Sequence, residues 1–459
     1  MGLVLVCEAK LSEKALKNHL VAVIGAGPAG LYASQYLARH GVHVVLFNRD
    51  IRPGGLVEYA IFPDKLKMRF GLMEQFKRIL RMPEIRYVGN VTVGQSGDIH
   101  LDHLRQAGFQ AIMVTTGAQK NNWLGLPGED LDGVYQANDI VFHFNHLPAL
   151  SGKTFQFGQQ VAIIGMGNVM LDVVHYLSDE GTPKVVTAYG RRGPAEVKFD
   201  KETLLPVAGC LDMSSIRAAV DSVRSEVSAI QKDPQQFFSL LEAARDKMGD
   251  CDSGLRFGMQ FLRSPRRLIG DEFGRVKEIV FEINRLVEAG GEVISRGTGQ
   301  FETVFADTVI FSIGSRVEED FGLPVEHGHF VTLPDPRFPI DGISYEVYNP
   351  DLCAKCEDIF VSGWARQPGE GIVGLARKDS ERSARAVLAF LNTQDPVNID
   401  TIAKVLQRLP GNRNTKVSLE DLESLWMDEA GRASADGVQE FKYSTFEEML
   451  AVISKSRRS

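Results

Sequence analysis

The chain has 459 residues, 44% hydrophobic and 24% charged, ordinary values for a folded protein of two or three domains. Its 51 Lys+Arg against 59 Asp+Glu leave a formal charge of −8, which excludes a general affinity for nucleic acid. Five cysteines in so long a chain argue against a disulfide framework and for a reducing compartment.

Residues 1–7 form an apolar run that meets charge at Glu8 and Lys10, too early for a signal peptide. Gly2 would open a myristoylation pattern, but Val6 breaks it. No apolar run approaches the roughly 20 residues of a membrane helix. The expectation is a cytoplasmic protein with no membrane or nucleic-acid partner. Residues 8–20 alternate charge with Leu and Ala at helical spacing. A strand over 21–24, a helix over 31–39 and a strand over 42–47 then make a βαβ unit and imply a parallel sheet. A second unit follows at 161–164, 169–178 and 184–189. Between and after them, strands at 111–114 and 308–311 run into Thr115-Thr116-Gly117 and Ser312-Ile313-Gly314, endings at which a chain passes from one domain to another. The predicted fold is therefore α/β with two Rossmann-like dinucleotide-binding domains, residues 1–120 with 326–395 and residues 121–325. Beyond Asn392 the composition turns polar and acid-rich, and 396–459 read as a peripheral helical extension.

Gly25-Ala26-Gly27-Pro28-Ala29-Gly30 follows the first strand and opens the first helix. Gly25 permits the tight turn, Gly27 lets the backbone approach a pyrophosphate, and Gly30 lets the helix lie close on the strand. The helix N-terminus then offers unpaired N–H groups and a partial positive charge. The second strand ends in Asn48, where Asp or Glu normally receives the ribose hydroxyls. An amide can still accept a hydrogen bond there; the other reading is a turn-forming Asn at a strand end.

Gly165-Met166-Gly167-Asn168-Val169-Met170 repeats the arrangement. The strand after it ends in Gly190-Arg191-Arg192-Gly193-Pro194, not in an acid. An acid there binds the 2′-hydroxyl of NAD and repels a 2′-phosphate. Two guanidiniums favour the 2′-phosphate of NADP through charge-assisted hydrogen bonds. A solvated arginine pair is the alternative.

With Gly55-Leu56-Val57, Pro63-Asp64, Gly89-Asn90-Val91, Leu171-Asp172, Gly254-Leu255-Arg256-Phe257, Arg263-Ser264-Pro265 and Ser362-Gly363-Trp364-Ala365-Arg366 ahead of Gly371-Ile372-Val373, the chain over about 20–393 resembles the adrenodoxin-reductase-like ferredoxin–NADP reductases. These are relatives of the glutamate synthase small subunit and of the disulfide reductase flavoproteins. The resemblance implies a bilobal FAD- and NADPH-binding enzyme that feeds a ferredoxin-like carrier. It also implies that Gly55 and Leu56 border the flavin ring, that Val91 contacts adenine, and that Thr116 and Gly117 belong to the FAD site. Gly363 and Trp364 lie beside flavin and nicotinamide, and Gly371 and Ile372 approach the flavin pyrimidine. A helix over 371–391 would place its positive end there.

Two positions depart from the family. Lys65 stands where its members often carry His, and the acid after the arginine pair appears as Glu202, one position early, with Thr203 in register. Lys65, Glu202 and Trp364 are the residues expected at the reaction. Cys353-Ala354-Lys355-Cys356 has redox-motif spacing but lies outside both places from which a cysteine pair reaches flavin. His143 and His146 lack a third ligand, so no metal is expected. Arg263, Arg266 and Arg267 are either a docking patch or a solvated face. The predicted activity is hydride transfer from NADPH to FAD and release of single electrons to an iron–sulfur carrier. Alternatives are an electron-input subunit of a larger enzyme, a reductase of a small acceptor, and a non-catalytic flavoprotein assembly module.

Overall fold

The computed structural model describes residues 16, 18–62, 65–248, 253–367, 373–398, 400, 404–405 and 415–458. The chain divides into two compact units, Met1–Lys120 with Ser315–Ser459, and Asn121–Gly314. Within the described residues both are α/β, built on a mostly parallel sheet.

The sheet of the first unit runs in the order Glu346–Asn349, Ala354–Val361, Ala111–Val114, Leu20–Ile24, His43–Phe47, Ile85–Val88. Its members pair in parallel except the first two, which form an antiparallel hairpin. The central strand, LVAVI, is buried at all five positions, because apolar clusters cover both faces of the sheet. Leu20–Ile24 has His43–Phe47 on one side and Ala111–Val114 on the other. The strand order reverses there, and the carboxyl end of such a strand is where an open α/β sheet leaves a ligand crevice. Gly25 stands at that end.

The second crossing between units falls after Gly314 and not after 325. The cause is burial: Val317, Phe321, Leu323 and Phe330 complete the apolar cluster that holds Val91 and Val93. The C-terminal segment is likewise less peripheral than its polar composition predicts. Helices Leu419–Asp436 and Phe446–Ser456 bury Leu422, Leu425, Met449 and Ile453 in the cluster that contains Val21 and Leu31. Each starts with a capping box, Ser418 with Asp421 and Thr445 with Glu448, so these polar residues define helix ends.

The sheet of the second unit has the order Val134–Gln136, Thr308–Phe311, Gln160–Ile164, Val185–Tyr189, Arg256–Gln260, all parallel. Its strand order reverses around Gln160–Ile164, at whose end Gly165 stands. A three-stranded antiparallel sheet accompanies it, Arg263–Gly270, Val276–Ala289 and Glu292–Phe305. The last two are joined through Gly290 and Gly291, both at positive φ, as a tight hairpin requires.

Candidate dinucleotide sites

The first turn is shaped by what a side chain would strike. Gly25 has φ +104°, and a Cβ on it would lie 2.7 Å from the Thr115 carbonyl oxygen. A Cβ on Gly30 would lie 1.9 Å from the Gly25 oxygen, so the helix Pro28–Arg39 can sit this close only on glycine. A Cβ on Gly27 would meet nothing within 4 Å. The turn is thus packed tightly behind and open in front. Pro28 occupies the first helical turn, Ala29 is buried, and no side chain caps the helix start. Its leading N–H groups remain available to an anion. Thr115 closes the back of the turn, its hydroxyl donating to the Ile24 and Gly25 carbonyls at 2.9 Å each. The glycine pattern gave no sign of this threonine.

Asn48 is buried, and its amide joins the phosphate turn to its own loop. Its Oδ1 accepts from the Ala26 N–H at 3.0 Å, and its Nδ2 donates to the carbonyls of Asp50 at 2.9 Å and Arg52 at 3.0 Å. These bonds tie the phosphate turn to the loop after Asn48. An Asp at this place would lack the donor that the two carbonyls need. Asn48 nonetheless borders a pocket with Gly25, Asp50, Val91, Thr116 and Gly117, which Phe321 and Phe330 help to close.

Gly55, at φ +53°, lies against the turn, where a Cβ would come within 3.0 Å of the Gly27 Cα, and the Gly54 N–H donates to the Ala26 carbonyl at 2.7 Å. Leu56 beside it is partly exposed. This loop is anchored from the far end of the chain. Arg52 is 2% exposed and donates to Glu429 at 2.9 Å and to the Tyr443 carbonyl at 3.1 Å. Glu58 is buried and pairs with Lys442 at 2.8 Å. Burial alone would push the Glu58 carboxyl up, but Lys442 and Arg52 hold it below its ordinary value. Nothing in the sequence of either partner signals these pairs.

Trp364 is half-buried in the short 3-10 turn Gly363–Ala365. Asp379 fixes that turn, accepting from the Gly363 N–H at 2.7 Å and from Arg366 at 2.6 Å. Gly363 has φ +65°, and a Cβ there would lie 2.9 Å from the Ala29 Cβ, which brings the Trp364 turn onto the phosphate helix. Lys65 stands at the N-cap of the helix Leu66–Leu80, partly exposed. Gly371 and Ile372, like Pro63 and Asp64, lie outside the described residues; the helix that follows is described from Val373 to Leu391.

The second turn repeats the first. A Cβ on Gly165, at φ +127°, would lie 2.0 Å from the Ser312 oxygen, and one on Gly167 would meet nothing within 4 Å. The helix Asn168–Glu180 starts without a side-chain cap. Asn168 is tied to Asp200 by two hydrogen bonds, 2.7 and 2.9 Å, and Val169 is exposed. Arg191 is exposed and Arg192 half-buried, and among the described residues neither guanidinium has a hydrogen bond or ion pair. Glu202 is exposed in the first turn of the helix Lys201–Leu204 of this unit.

Residues 19–240 match the pyridine nucleotide-disulphide oxidoreductase family. The NADPH:adrenodoxin oxidoreductase of Salvelinus fontinalis is 28% identical over 94% of this chain and 90% of its own length. The NADPH-ferredoxin reductase of Mycobacterium leprae is 28% identical over 81% of this chain and 84% of its own. The FprA structure from Mycobacterium tuberculosis solved with NADPH superposes with a TM-score of 0.78 at 24% identity, covering 95% of this chain and all of that one. Along most of its length the chain is therefore similar to NADPH:adrenodoxin oxidoreductases and NADPH-ferredoxin reductases.

Cys353 and Cys356 are free thiols at the turn and start of an edge hairpin, Cys353 exposed. Cys210 is disulfide-bonded, against the expectation from cysteine count. The His143 ring bonds the Leu150 carbonyl at 2.9 Å and packs on Phe155, and no group of three metal-ligand residues occurs among the described residues. Arg263 pairs with Glu302, and Arg266 with Glu282 at 2.6 Å, so two of the three candidate docking arginines are neutralised within their own sheet. No helix among the described residues is long and apolar enough to cross a membrane.

Proposed function

We propose that this chain oxidises NADPH and passes its electrons through FAD to a ferredoxin-like iron–sulfur protein. One observation carries the reading: two uncapped, glycine-built helix starts stand at two strand-order reversals, and only the second is followed by an arginine pair without a partner among the described residues. Its support is a match along nearly the whole chain to NADPH:adrenodoxin oxidoreductases. Residues 1–120 with the later strands form the FAD domain, the inserted residues form the NADPH domain, and the C-terminal helices brace the FAD domain.

FAD, when bound, supplies the exchange between a two-electron hydride and single electrons. The protein contributes binding and orientation. Amides of the Gly25–Gly30 turn would hold the pyrophosphate of FAD, and those of Gly165, Gly167 and Asn168 that of NADPH. Arg191 and Arg192 take the 2′-phosphate. Gly55, Leu56, Gly363 and Trp364, which lie against or beside the phosphate turn and its helix, would border the flavin. Lys65 of the first unit and Glu202 of the second are the charged residues assigned to the reaction.

The purified protein should carry a flavin spectrum that bleaches under anaerobic conditions with NADPH far faster than with NADH. Absence of bleaching with either would remove the enzyme reading, and faster bleaching with NADH would remove the arginine assignment. Changing Arg191→Glu with Arg192→Ala should reverse the preference. Each charge-assisted bond to phosphate is worth about 1.5–3 kcal/mol, so kcat/KM for NADPH should fall roughly 100-fold or more.

A further inference from the structure

We propose that Asp50, two residues beyond Asn48, receives the adenosine ribose hydroxyls of FAD in place of the acid that Asn48 replaces. This rests on the reading of the first pocket as the FAD site.

The strand end offers no carboxylate, and the Asn48 Oδ1 already holds the Ala26 N–H at 3.0 Å. Those same bonds set the path of the next residues. The Asp50 carbonyl accepts from Asn48 Nδ2 at 2.9 Å and from the Asn90 N–H at 3.2 Å. The Arg52 carbonyl is held by Asn48 at 3.0 Å, and the Tyr87 hydroxyl donates to the Ile51 carbonyl at 2.9 Å. The loop is thereby curled back on the sheet, and Asp50 joins the pocket wall with Gly25, Val91, Thr116 and Gly117.

Two acids line this pocket, Asp50 and Glu318. Glu318 is engaged with the Arg49 guanidinium at 2.9 Å. The Asp50 carboxylate accepts no hydrogen bond from any described residue. Burial pushes its carboxyl up, with Arg49 opposing and Glu318 adding to the rise. A half-buried carboxylate with open lone pairs lacks donors, and a ribose diol presents two O–H groups that fit both oxygens. The residue type that the strand end lost is thus restored from the loop, in a pocket that also holds the phosphate turn and the apolar Val91.

The test uses flavin-free protein, titrated with FAD and with two competitors, ADP and 2′,3′-dideoxy-ADP. Wild type should prefer ADP over the dideoxy compound by about 10-fold or more, the worth of a charge-assisted hydrogen bond. Asp50→Ala should bind the two alike and weaken FAD by about 10- to 100-fold. Asp50→Asn keeps the side-chain volume and should show most of the loss. Its flavin-free form should melt no lower than wild type, because a disfavoured charge is gone. If both variants kept the wild-type ADP preference and FAD affinity, the Asp50 assignment would be overturned while the FAD site stood. If wild type bound neither FAD nor ADP, the FAD reading would fail first.

Discussion

A methyl group added at Gly27 and one added at Gly30 meet opposite surroundings, and the difference separates binding from folding. Gly27 has φ −75° and open space before it, so Gly27→Ala should leave the melting temperature of the flavin-free protein unchanged. The same methyl intrudes on the approach to the helix N–H groups, and FAD affinity should fall by about 10-fold or more, a cost of roughly 1.4 kcal/mol per decade. Gly30→Ala forces a Cβ to 1.9 Å from the Gly25 oxygen. Overpacking of this kind costs about 1–3 kcal/mol, so this variant should lose flavin and melt lower. Thermal unfolding beside flavin titration checks both; equal melting of the two variants would contradict the packing argument.

At the scale of elements, the C-terminal helices are joined to the loop that borders the phosphate turn by buried charges. Removing one partner of such a pair strands the other, at about 3–5 kcal/mol. Glu429→Gln should therefore destabilise the protein by that order in chemical denaturation, because Arg52 stays charged at 2% exposure. The near-equal volume of the new amide makes the loss electrostatic and not volumetric. The Glu58 pair adds a pH dependence. Its carboxyl is depressed in the folded protein relative to 4.5, so its stabilising contribution is complete above that value and is lost as pH falls through the lower folded value. Unfolding free energy should drop below about pH 4.5, and Glu58→Gln should flatten that part of the profile.

For the molecule as a whole, the two phosphate turns belong to separate units with separate apolar clusters. Losses at the two should add without coupling. The Arg191/Arg192 double variant should leave FAD affinity unchanged, and Gly27→Ala should leave the affinity for 2′,5′-ADP unchanged. Titration of both ligands against both variants checks this, and a change in the remote ligand of more than about 0.5 kcal/mol would contradict independence.

The amino-acid sequence by itself determined both phosphate turns, the α/β class and the nicotinamide preference expected of the arginine pair. Each depends on residues a few positions apart: a glycine where φ is positive, a helix start beyond it, a charge at the next strand end. It also marked Asn48 as unusual without revealing its use. The tertiary structure decided that use, since the bonds that curl the Asn48 loop come from Tyr87 and Asn90 on a neighbouring strand and turn. The same holds for Arg52 and Glu429, 377 residues apart, and for Phe321 and Phe330, which draw the stretch after Gly314 into the first unit. The polar C-terminal segment looked peripheral because its charges read as solvated. A charge is recognisable in one dimension, but whether it meets water or a buried partner depends on what the fold places beside it.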